Sequence, residues 1–185
     1  MKILKFAMTA AAVTLMTAAA PVMVPVAAHA PAGDKDPVVP IAIPAPPPGK
    51  GQIVFFRSGG GGFAVGCSVN EHGQKVSSLG AGRYFIMVLD PGRHEFTVKS
   101  EAKDVLALEV EADETQFATC KIKMGILIGR PDIRPSTEAE FRKAKNLKLV
   151  DEDDMGPPEL GALRQAQITA ALGAQAPATA AAPAQ

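Results

Sequence analysis

Between residues 51 and 134, apolar residues either alternate with polar ones or run in short blocks separated by Gly, Pro and Asn. This pattern constrains the fold more than any other feature, because alternation with a period of two is typical of strands and not of helices. Short blocks between turn-forming residues indicate strands joined by hairpins. Seven strands are predicted, at residues 52–57, 63–69, 74–79, 83–89, 94–100, 105–110 and 115–124, with a further edge strand around residues 132–134.

Two of the predicted connections are sharp turns. Residues 70–73 (NEHG) join the second and third strands, and Gly73 is able to adopt the positive φ that such a turn needs. Residues 90–93 (DPGR) join the fourth and fifth strands, with Pro91 and Gly92 at the central positions of a type II turn. The fourth strand is apolar on both faces and is expected to be central. Together these features predict a mainly β fold, an Ig-like antiparallel β-sandwich of about seven strands.

A short C-terminal helix is predicted to follow these strands. Thr137 is its expected N-cap, and Glu140, three residues later, is the expected capping-box partner. Phe141 is expected to anchor the helix onto the sheet before the helix ends at about Lys145. A short strand at residues 147–149 then completes the domain.

The predicted sandwich domain, residues 51–150, has different kinds of segment on either side. Residues 31–50 are rich in proline and predict an extended polyproline II linker with no packed core. Residues 151–185 are expected to contain an acidic linker, a weak helix and a disordered tail rich in Ala and Pro. The weak helix, at residues 159–172, has a loosely apolar face, so that docking and exposure to solvent both remain open.

The first thirty residues have the pattern of a secretory signal peptide. Lys2 and Lys5 precede a long apolar run, and small residues accumulate after it. Cleavage after Ala28 and cleavage after Ala30 both fit the small-x-small pattern. The alternative is an uncleaved membrane anchor, which the two prolines inside the apolar stretch and the lack of a following basic cluster disfavour.

Export with cleavage predicts a location in the periplasm or the outer cell envelope, with no transmembrane span after cleavage. No Cys lies near the expected cleavage region. The pattern therefore excludes a lipid anchor attached to a new N-terminal Cys, and the exported protein is expected to be soluble.

Composition excludes several classes of function. The 19 basic and 19 acidic side chains give a net charge of zero, which argues against a nucleic-acid-binding surface. Three His and two Cys are too few for a structural zinc site of the usual multi-ligand kind. No nucleophile elbow occurs, so no catalytic, cofactor-binding or metal-ligating residue is assigned and the chain is not expected to be an enzyme.

Three further features have plain structural interpretations. The glycine run at residues 58–62 lacks the Lys and Ser or Thr of a phosphate loop and predicts a flexible hairpin loop that a partner is able to touch. His72 is expected to be solvated in its turn, and His94 is expected to form a hydrogen bond within the Pro-Gly corner. The acidic run 151–154 lacks the alternating spacing of a calcium loop and is interpreted as a solvated linker.

Cys67 and Cys120 are the candidates for a disulfide. Both fall on the predicted inward faces of their strands, and a pair of cysteines in an exported chain favours an oxidised state. The alternative is two buried thiols that act as small apolar side chains. Sequence pattern alone leaves this choice open, because it does not fix the separation of the two Cα atoms.

The segment 125–129 is the candidate interface. Ile126, Leu127, Ile128 and Arg130 have the character of an apolar lip next to positive charge, suited to a partner, a lipid or an anionic surface. The alternative is the buried end of a strand. Further basic residues flank the segment: Lys121, Lys123 and Arg134.

Five stretches of the chain carry a resemblance to a known family: residues 51–57 (GQIVFFR), 69–76 (VNEHGQKV), 79–85 (LGAGRYF), 90–94 (DPGRH) and 124–131 (MGILIGRP). In this order they resemble the bacterial envelope family called domain of unknown function 2846, over roughly residues 50 to 150. The hairpins are also similar, less closely, to the PEGA sandwich modules associated with surface layers. The resemblance implies a β-sandwich outside the cytoplasm with no established activity. Members are often lipoproteins, whereas this chain lacks the lipid-modified Cys.

These observations predict a non-catalytic, exported module of the cell envelope that binds a protein or a cell-wall component. The alternative is a periplasmic carrier that holds a small apolar ligand in the core of the sandwich. No cofactor is expected for either function, and the sequence does not identify the partner.

Overall fold

Nine strands form two sheets in the part of the chain that the structure, a computed structural model, describes: residues 40–60, 65–99, 103–123 and 129–176. The predicted signal peptide, the tail beyond residue 176, and Ile126, Leu127 and Ile128 lie outside these residues. The strands are β1 (Gly51–Arg57), β2 (Cys67–Glu71), β3 (Gln74–Leu79), β4 (Arg83–Leu89), β5 (Gly92–Lys99), β6 (Lys103–Val110), β7 (Thr115–Lys123), β8 (Arg130–Ser136) and β9 (Lys148–Leu149).

The mainly β, sandwich-like fold predicted from the sequence is confirmed. One sheet has the strand order β8-β7-β1-β4-β9, and the other has the order β3-β2-β5-β6. The predicted sharp turn at residues 70–73 is present, and Gly73 has a φ of +80°. At residues 90–93 the chain instead bends at Pro91 and crosses to the other sheet, and Gly92, with a φ of +137°, is already the first residue of β5. The described chain has two α-helices, α1 (Glu138–Lys143) between β8 and β9 and α2 (Gln165–Gln175) after β9.

The first sheet is mixed and not purely antiparallel. Strand β1 pairs in parallel with β7, and β4 pairs in parallel with β9. Periodicity shows which residues share a face but not which strands are neighbours. Strands β2 to β6 separate β1 from β7 in the sequence. No hairpin therefore sets the direction in which β7 pairs with β1.

The core between the sheets is built on three phenylalanines. The rings of Phe55 and Phe85 stack with centroids 4.8 Å apart, and Phe96 packs edge-on against Phe55 at 4.9 Å. All three side chains are fully buried. Burying a ring of this size stabilises the fold by about 2–3 kcal/mol. The aromatic pairs add about 1 kcal/mol each.

A second apolar cluster covers the outer face of the first sheet. Val54, Phe56, Tyr84 and Ile86 point to this side, and Phe141 of α1 packs on them. This layer explains why β1 and β4 are buried on both faces. Strand β1 is the middle strand of the sheet, and β4, which was predicted to be central, is also an interior strand, paired with β1 on one side and with the two-residue strand β9 on the other.

The described part of the proline-rich segment belongs to the folded unit and is not a detached linker. Ile41 and Ile43 pack against the second apolar cluster, and the buried Gln52 amide donates to the carbonyl of Pro44 at 2.6 Å. The side chain of Gln175 exchanges two hydrogen bonds with the backbone of Ala45. In an extended backbone, side chains two residues apart point to the same side. Ile41 and Ile43 are therefore able to pack together on the face of the sheet.

The C-terminal segment seals one side of the sandwich. Met155 forms a bridge with Ser77 of β3, and Ala162 forms one with Met87 of β4. Helix α2 then docks through Ile168, which is buried, so that of the two possibilities left open for this helix the docked one is observed. Within the described residues, no helix combines the length and apolar character needed to cross a bilayer.

Candidate functional site

A groove of about 590 Å³ lies on the outer face of the first sheet, beside the C-terminal end of α1. We call it the basic groove, because three of its lining side chains are lysines and one is a carboxylate. Its lining residues are Phe56, Ser58, Gly59, Thr119, Lys121, Glu140, Lys143, Ala144, Lys145 and Asn146.

Strand β7 provides one wall of the basic groove. Ala118 and Cys120 face the core and are buried. Because side chains alternate along a strand, Thr119 and Lys121 point to the opposite side, under and beside α1. The β7–β8 register places Arg134 directly opposite Thr119, so that a further cation lies next to the groove.

Helix α1 and the residues after it provide the opposite wall. The Thr137 hydroxyl accepts a hydrogen bond from the backbone N–H of Glu140 at 3.2 Å, which confirms Thr137 as the N-cap. Phe141 is buried and packs edge-on against the rings of Phe56 and Tyr84, as expected of an anchor. With this face fixed, Lys143 is left on the exposed side of the helix.

The chain reverses direction directly after α1. Asn146 has a φ of +56°, a left-handed conformation that Asn tolerates better than most residues. The reversal buries Leu147 while Lys145 remains exposed on the rim of the groove. The two lysines at the end of the helix therefore approach the lysine of β7 from the other side of the groove.

Glu140 is the only acidic residue that lines the basic groove in the described structure. The sequence predicted that its side chain would return to the N-cap backbone, but its Oε2 accepts a hydrogen bond from the Ser136 hydroxyl at 2.5 Å instead. This bond lowers the pKa of Glu140, and the nearby charges of Lys121, Arg134 and Lys143 lower it further. The carboxylate is therefore negatively charged at neutral pH.

The electrostatic balance of the groove differs from that of the chain as a whole. Among the described residues, the lining has three lysines, Lys121, Lys143 and Lys145, and one acidic residue, Glu140, whereas the full chain has no net charge. Within the described residues, the three groove lysines form no ion pair. An anion that enters the groove meets three lysines that form no ion pair within the described residues.

The glycine-rich loop borders the basic groove through Ser58 and Gly59. The base of this loop is fixed by Arg57, whose side chain is almost fully buried and donates to the carbonyls of Val65 and Leu79. Burial lowers the pKa of this guanidinium. The loop therefore leaves the sheet from a fixed point, next to the lysines.

Cys67 and Cys120 form a disulfide, which confirms the predicted pair. Their Cα atoms are 6.6 Å apart, and the bond joins β2 of one sheet to β7 of the other. Because Cys120 lies between Thr119 and Lys121, the bond also fixes the strand that forms one wall of the groove.

The predicted apolar interface is described only at its basic end. Arg130 is exposed at the start of β8, opposite Lys123 in the register of β7 and β8. The ammonium of Lys123 forms an ion pair with Asp132 at 2.7 Å. Since the three apolar residues of this interface lie outside the described residues, their role stays a prediction.

Both histidines predicted to be structural have the expected surroundings. Nε2 of His94 lies 2.9 Å from the carbonyl oxygen of Asp90, within the Pro-Gly corner, and Nδ1 lies 2.7 Å from the nearly buried carboxylate of Glu71. His72 is exposed in its turn. In the acidic run, Asp151 is not only solvated but accepts two hydrogen bonds from the guanidinium of Arg83. The described residues contain no cluster of His, Cys, Asp and Glu suited to a metal ion.

Sequence reasoning noted Lys121 and Arg134 but missed Lys143, Lys145 and Glu140 as members of the same site. The signal that was available is a pair of lysines, one at the last position of a helix anchored by one aromatic residue and one two residues later. What the sequence did not show is that this helix lies across β7. Comparisons of the chain with protein-family models, with curated proteins and with solved structures found no match.

Proposed function

We propose that this protein is a non-catalytic, exported binding module that holds an anionic polymer of the cell envelope in its basic groove. The observation that carries the proposal is the convergence of Lys121, Lys143 and Lys145 from separate elements on one groove, without ion pairs in the described structure. A wall component that bears acid groups is the ligand that this arrangement suits best.

The open and exposed geometry favours a polymer over a small anion. An exposed lysine in contact with an anion contributes only about 1 kcal/mol in water. Salt screens such an interaction further. Useful affinity therefore needs several acid groups on one ligand, each near a different lysine, so that successive contacts form at high effective concentration.

Two independent features support export. A disulfide such as that between Cys67 and Cys120 persists in oxidising compartments and is rare in the cytosol. The first thirty residues have the pattern of a signal peptide. The resemblance to an envelope family points to the same location.

The surroundings of the reactive side chains support a non-catalytic role. Cys67 and Cys120 are bonded to each other, so neither is a thiolate nucleophile. Both ring nitrogens of His94 lie within hydrogen-bond distance of Glu71 and Asp90. The side chains most suited to chemistry are thus engaged in holding the fold together.

The centre of the sandwich gives no support to the alternative function as a carrier of an apolar ligand. The rings of Phe55, Phe85 and Phe96 are in direct contact between the two sheets and are fully buried. A ligand at this place would have to displace them. We therefore propose no second function.

The test is binding of the mature protein to an acidic polysaccharide, with polygalacturonate as the probe. The groove variant replaces Lys121, Lys143 and Lys145 with Gln, and we expect it to bind at least about tenfold more weakly, a loss of about 1.4 kcal/mol. The matched control makes the same change of charge on the second sheet, at the exposed residues Lys75, Arg93 and Lys103. We expect the control to bind within about twofold of the unaltered protein.

Salt dependence gives a second readout of the same experiment. The affinity of the unaltered protein should fall steeply between about 0.05 M and about 0.3 M salt, and that of the groove variant should change little. Equal weakening by the groove and control variants would assign the binding to net charge alone and would reject the basic groove as the site. Absence of binding to any acidic wall polymer, with retention of a protein partner instead, would overturn the proposed ligand.

A further inference from the structure

Glu140 has an unusual position for a carboxylate in a basic groove. It lines the groove together with Lys121 of β7, Lys143 at the end of α1 and Lys145. Its Oε2 is held by the Ser136 hydroxyl, whereas its Oε1 has no hydrogen bond within the described residues. A single negatively charged acceptor is therefore fixed at the wall of a site whose other charged groups are cations.

The charge of Glu140 persists over the pH range in which the protein is expected to work. The hydrogen bond from Ser136 lowers the pKa of Glu140 first, and the charges of Lys121, Arg134 and Lys143 follow. A bound polyanion opposes this effect by raising the local negative potential, but the Ser136 bond is internal to the protein. The carboxylate thus remains an acceptor and not a donor.

An ionised carboxylate accepts hydrogen bonds but does not donate them, so it favours an anionic ligand that carries hydrogen-bond donors next to its acid groups. A polyphosphate chain presents only acceptors, so it donates nothing to Oε1, which stays bonded to water, and it places like charges side by side. An acidic sugar presents hydroxyl groups beside its carboxylates, and such a hydroxyl donates to Oε1 while the acid group lies near a lysine.

Two neutral groups of the groove suit the same kind of ligand. Ser58 and Asn146 are exposed on the lining, and both side chains donate and accept hydrogen bonds. They donate to the oxygens of either class of polymer, and they also accept from hydroxyl groups, which a fully ionised phosphate chain does not have. The groove therefore combines cations, one anion and neutral hydrogen-bonding groups in a single open site.

On the basis of the proposed function, we infer that Glu140 is a specificity-determining residue of the basic groove. It selects acidic polysaccharides, which carry hydroxyl donors next to their carboxylates, over fully ionised polymers such as polyphosphate. The lysines attract both classes of polymer, and Glu140 accounts for the difference between the affinities of the two classes.

The test compares Glu140→Gln with the unaltered protein on two probes, polygalacturonate and polyphosphate of matched chain charge. Gln keeps the size of the side chain and an oxygen for Ser136 but removes the charge. We expect polyphosphate to bind about tenfold more tightly to the variant, while polygalacturonate changes by less than about threefold. The preference for the sugar polymer should therefore largely disappear.

Glu138→Gln is the matched control, because it makes the same change of charge in the first turn of α1. Glu138 does not line the basic groove and instead pairs with Arg142 at 2.9 Å. We expect this control to strengthen the binding of both polymers equally and slightly. Thermal unfolding of each variant shows whether α1 is retained.

The outcomes separate the two proposals. If Glu140→Gln and Glu138→Gln change both affinities by the same factor, Glu140 acts only through net charge and the inference is wrong, although the groove remains the site. If the unaltered protein binds neither polymer, the proposed function itself fails. If it prefers polyphosphate, the selected class is the reverse of the one inferred.

Discussion

At the scale of single residues, the surroundings of Glu140 determine how the basic groove responds to pH. A carboxylate among lysines favours its charged form, but the first cause of its lowered pKa is the hydrogen bond from Ser136. This bond is local, since the two residues lie four positions apart at the junction of β8 and α1. The charge of the groove wall is therefore set by the fold and does not require a ligand.

Ser136→Ala is expected to raise the pKa of Glu140 towards its ordinary value. A carboxyl whose pKa is lowered by folding contributes stability that is present above its unfolded-state pKa and is lost as the pH falls through its folded-state pKa. The variant should therefore lose this contribution at neutral pH, and its stability should fall less than that of the unaltered protein as the pH drops through the acid range. An NMR titration of the Glu140 side chain measures the shift, and Ser58→Ala, in the groove but not bonded to Glu140, is the control. An unchanged pKa in Ser136→Ala would assign the shift to the lysines alone.

The Glu71–His94 pair shows what single-residue reasoning from the sequence is able to reach. The hydrogen bond of His94 to the Asp90 carbonyl was predictable, because both residues belong to one tight turn. The contact with Glu71, 23 residues away, was not, because it depends on β2 lying beside β5. Burial of this carboxylate without a partner would cost about 1–3 kcal/mol or more, which explains why a ring nitrogen lies 2.7 Å away.

At the scale of elements, the segment after β9 depends on two close approaches of the backbone. A Cβ atom at Gly156 would lie 1.8 Å from the carbonyl oxygen of Lys75, and one at Gly161 would lie 2.3 Å from that of Val88. Gly161 also has a φ of +81°. At both positions only a residue without a side chain lets the segment bond to the sandwich edge, where it covers backbone groups that would otherwise be exposed.

Gly161→Ala is expected to destabilise the protein by about 2–4 kcal/mol, because the new methyl group collides with backbone in a conformation that already disfavours Ala. Urea unfolding followed by circular dichroism measures the loss. Gly173→Ala is the control, since its Cβ would meet nothing within 4 Å inside helix α2. That change should be neutral or stabilise the protein by up to about 1 kcal/mol. Equal stability of the two variants would show that the segment detaches from the edge at little cost.

The sequence predicted the strands well and the outer layer poorly, for a physical reason. Alternation and turn residues specify β3 and β4 to the residue, because a strand exposes its pattern locally. The docking of α1 through Phe141 was predicted, whereas the rest of the cover on the outer face of β1 and β4 was not. The rest of the cover consists of α2, whose docking was left open, and of the extended residues Ile41 and Ile43, whose patterns are too short or too weakly apolar to reveal a docking site.

At the scale of the whole molecule, the basic groove exists because three separate parts of the chain meet over one sheet. Strand β7 comes from the end of the β region, α1 follows it, and the glycine-rich loop comes from the beginning. None of these parts carries a motif for a ligand by itself. The site could therefore not be predicted from sequence motifs. The disulfide was a candidate because both cysteines fall on the predicted inward faces of their strands.

The disulfide links the two sheets and is expected to stabilise the whole fold. It closes a loop with a sequence separation of 53, which corresponds to about 4 kcal/mol in the chain-entropy model. Because this effect acts on the unfolded chain, Cys67→Ala/Cys120→Ala should keep its strand content and lose roughly that much free energy of unfolding. Urea titration measures the loss, and the reduced form of the unaltered protein should be weakened by a similar amount. Alkylation of both cysteines in denatured, unreduced protein would contradict the bond, and a variant of unchanged stability would contradict its role.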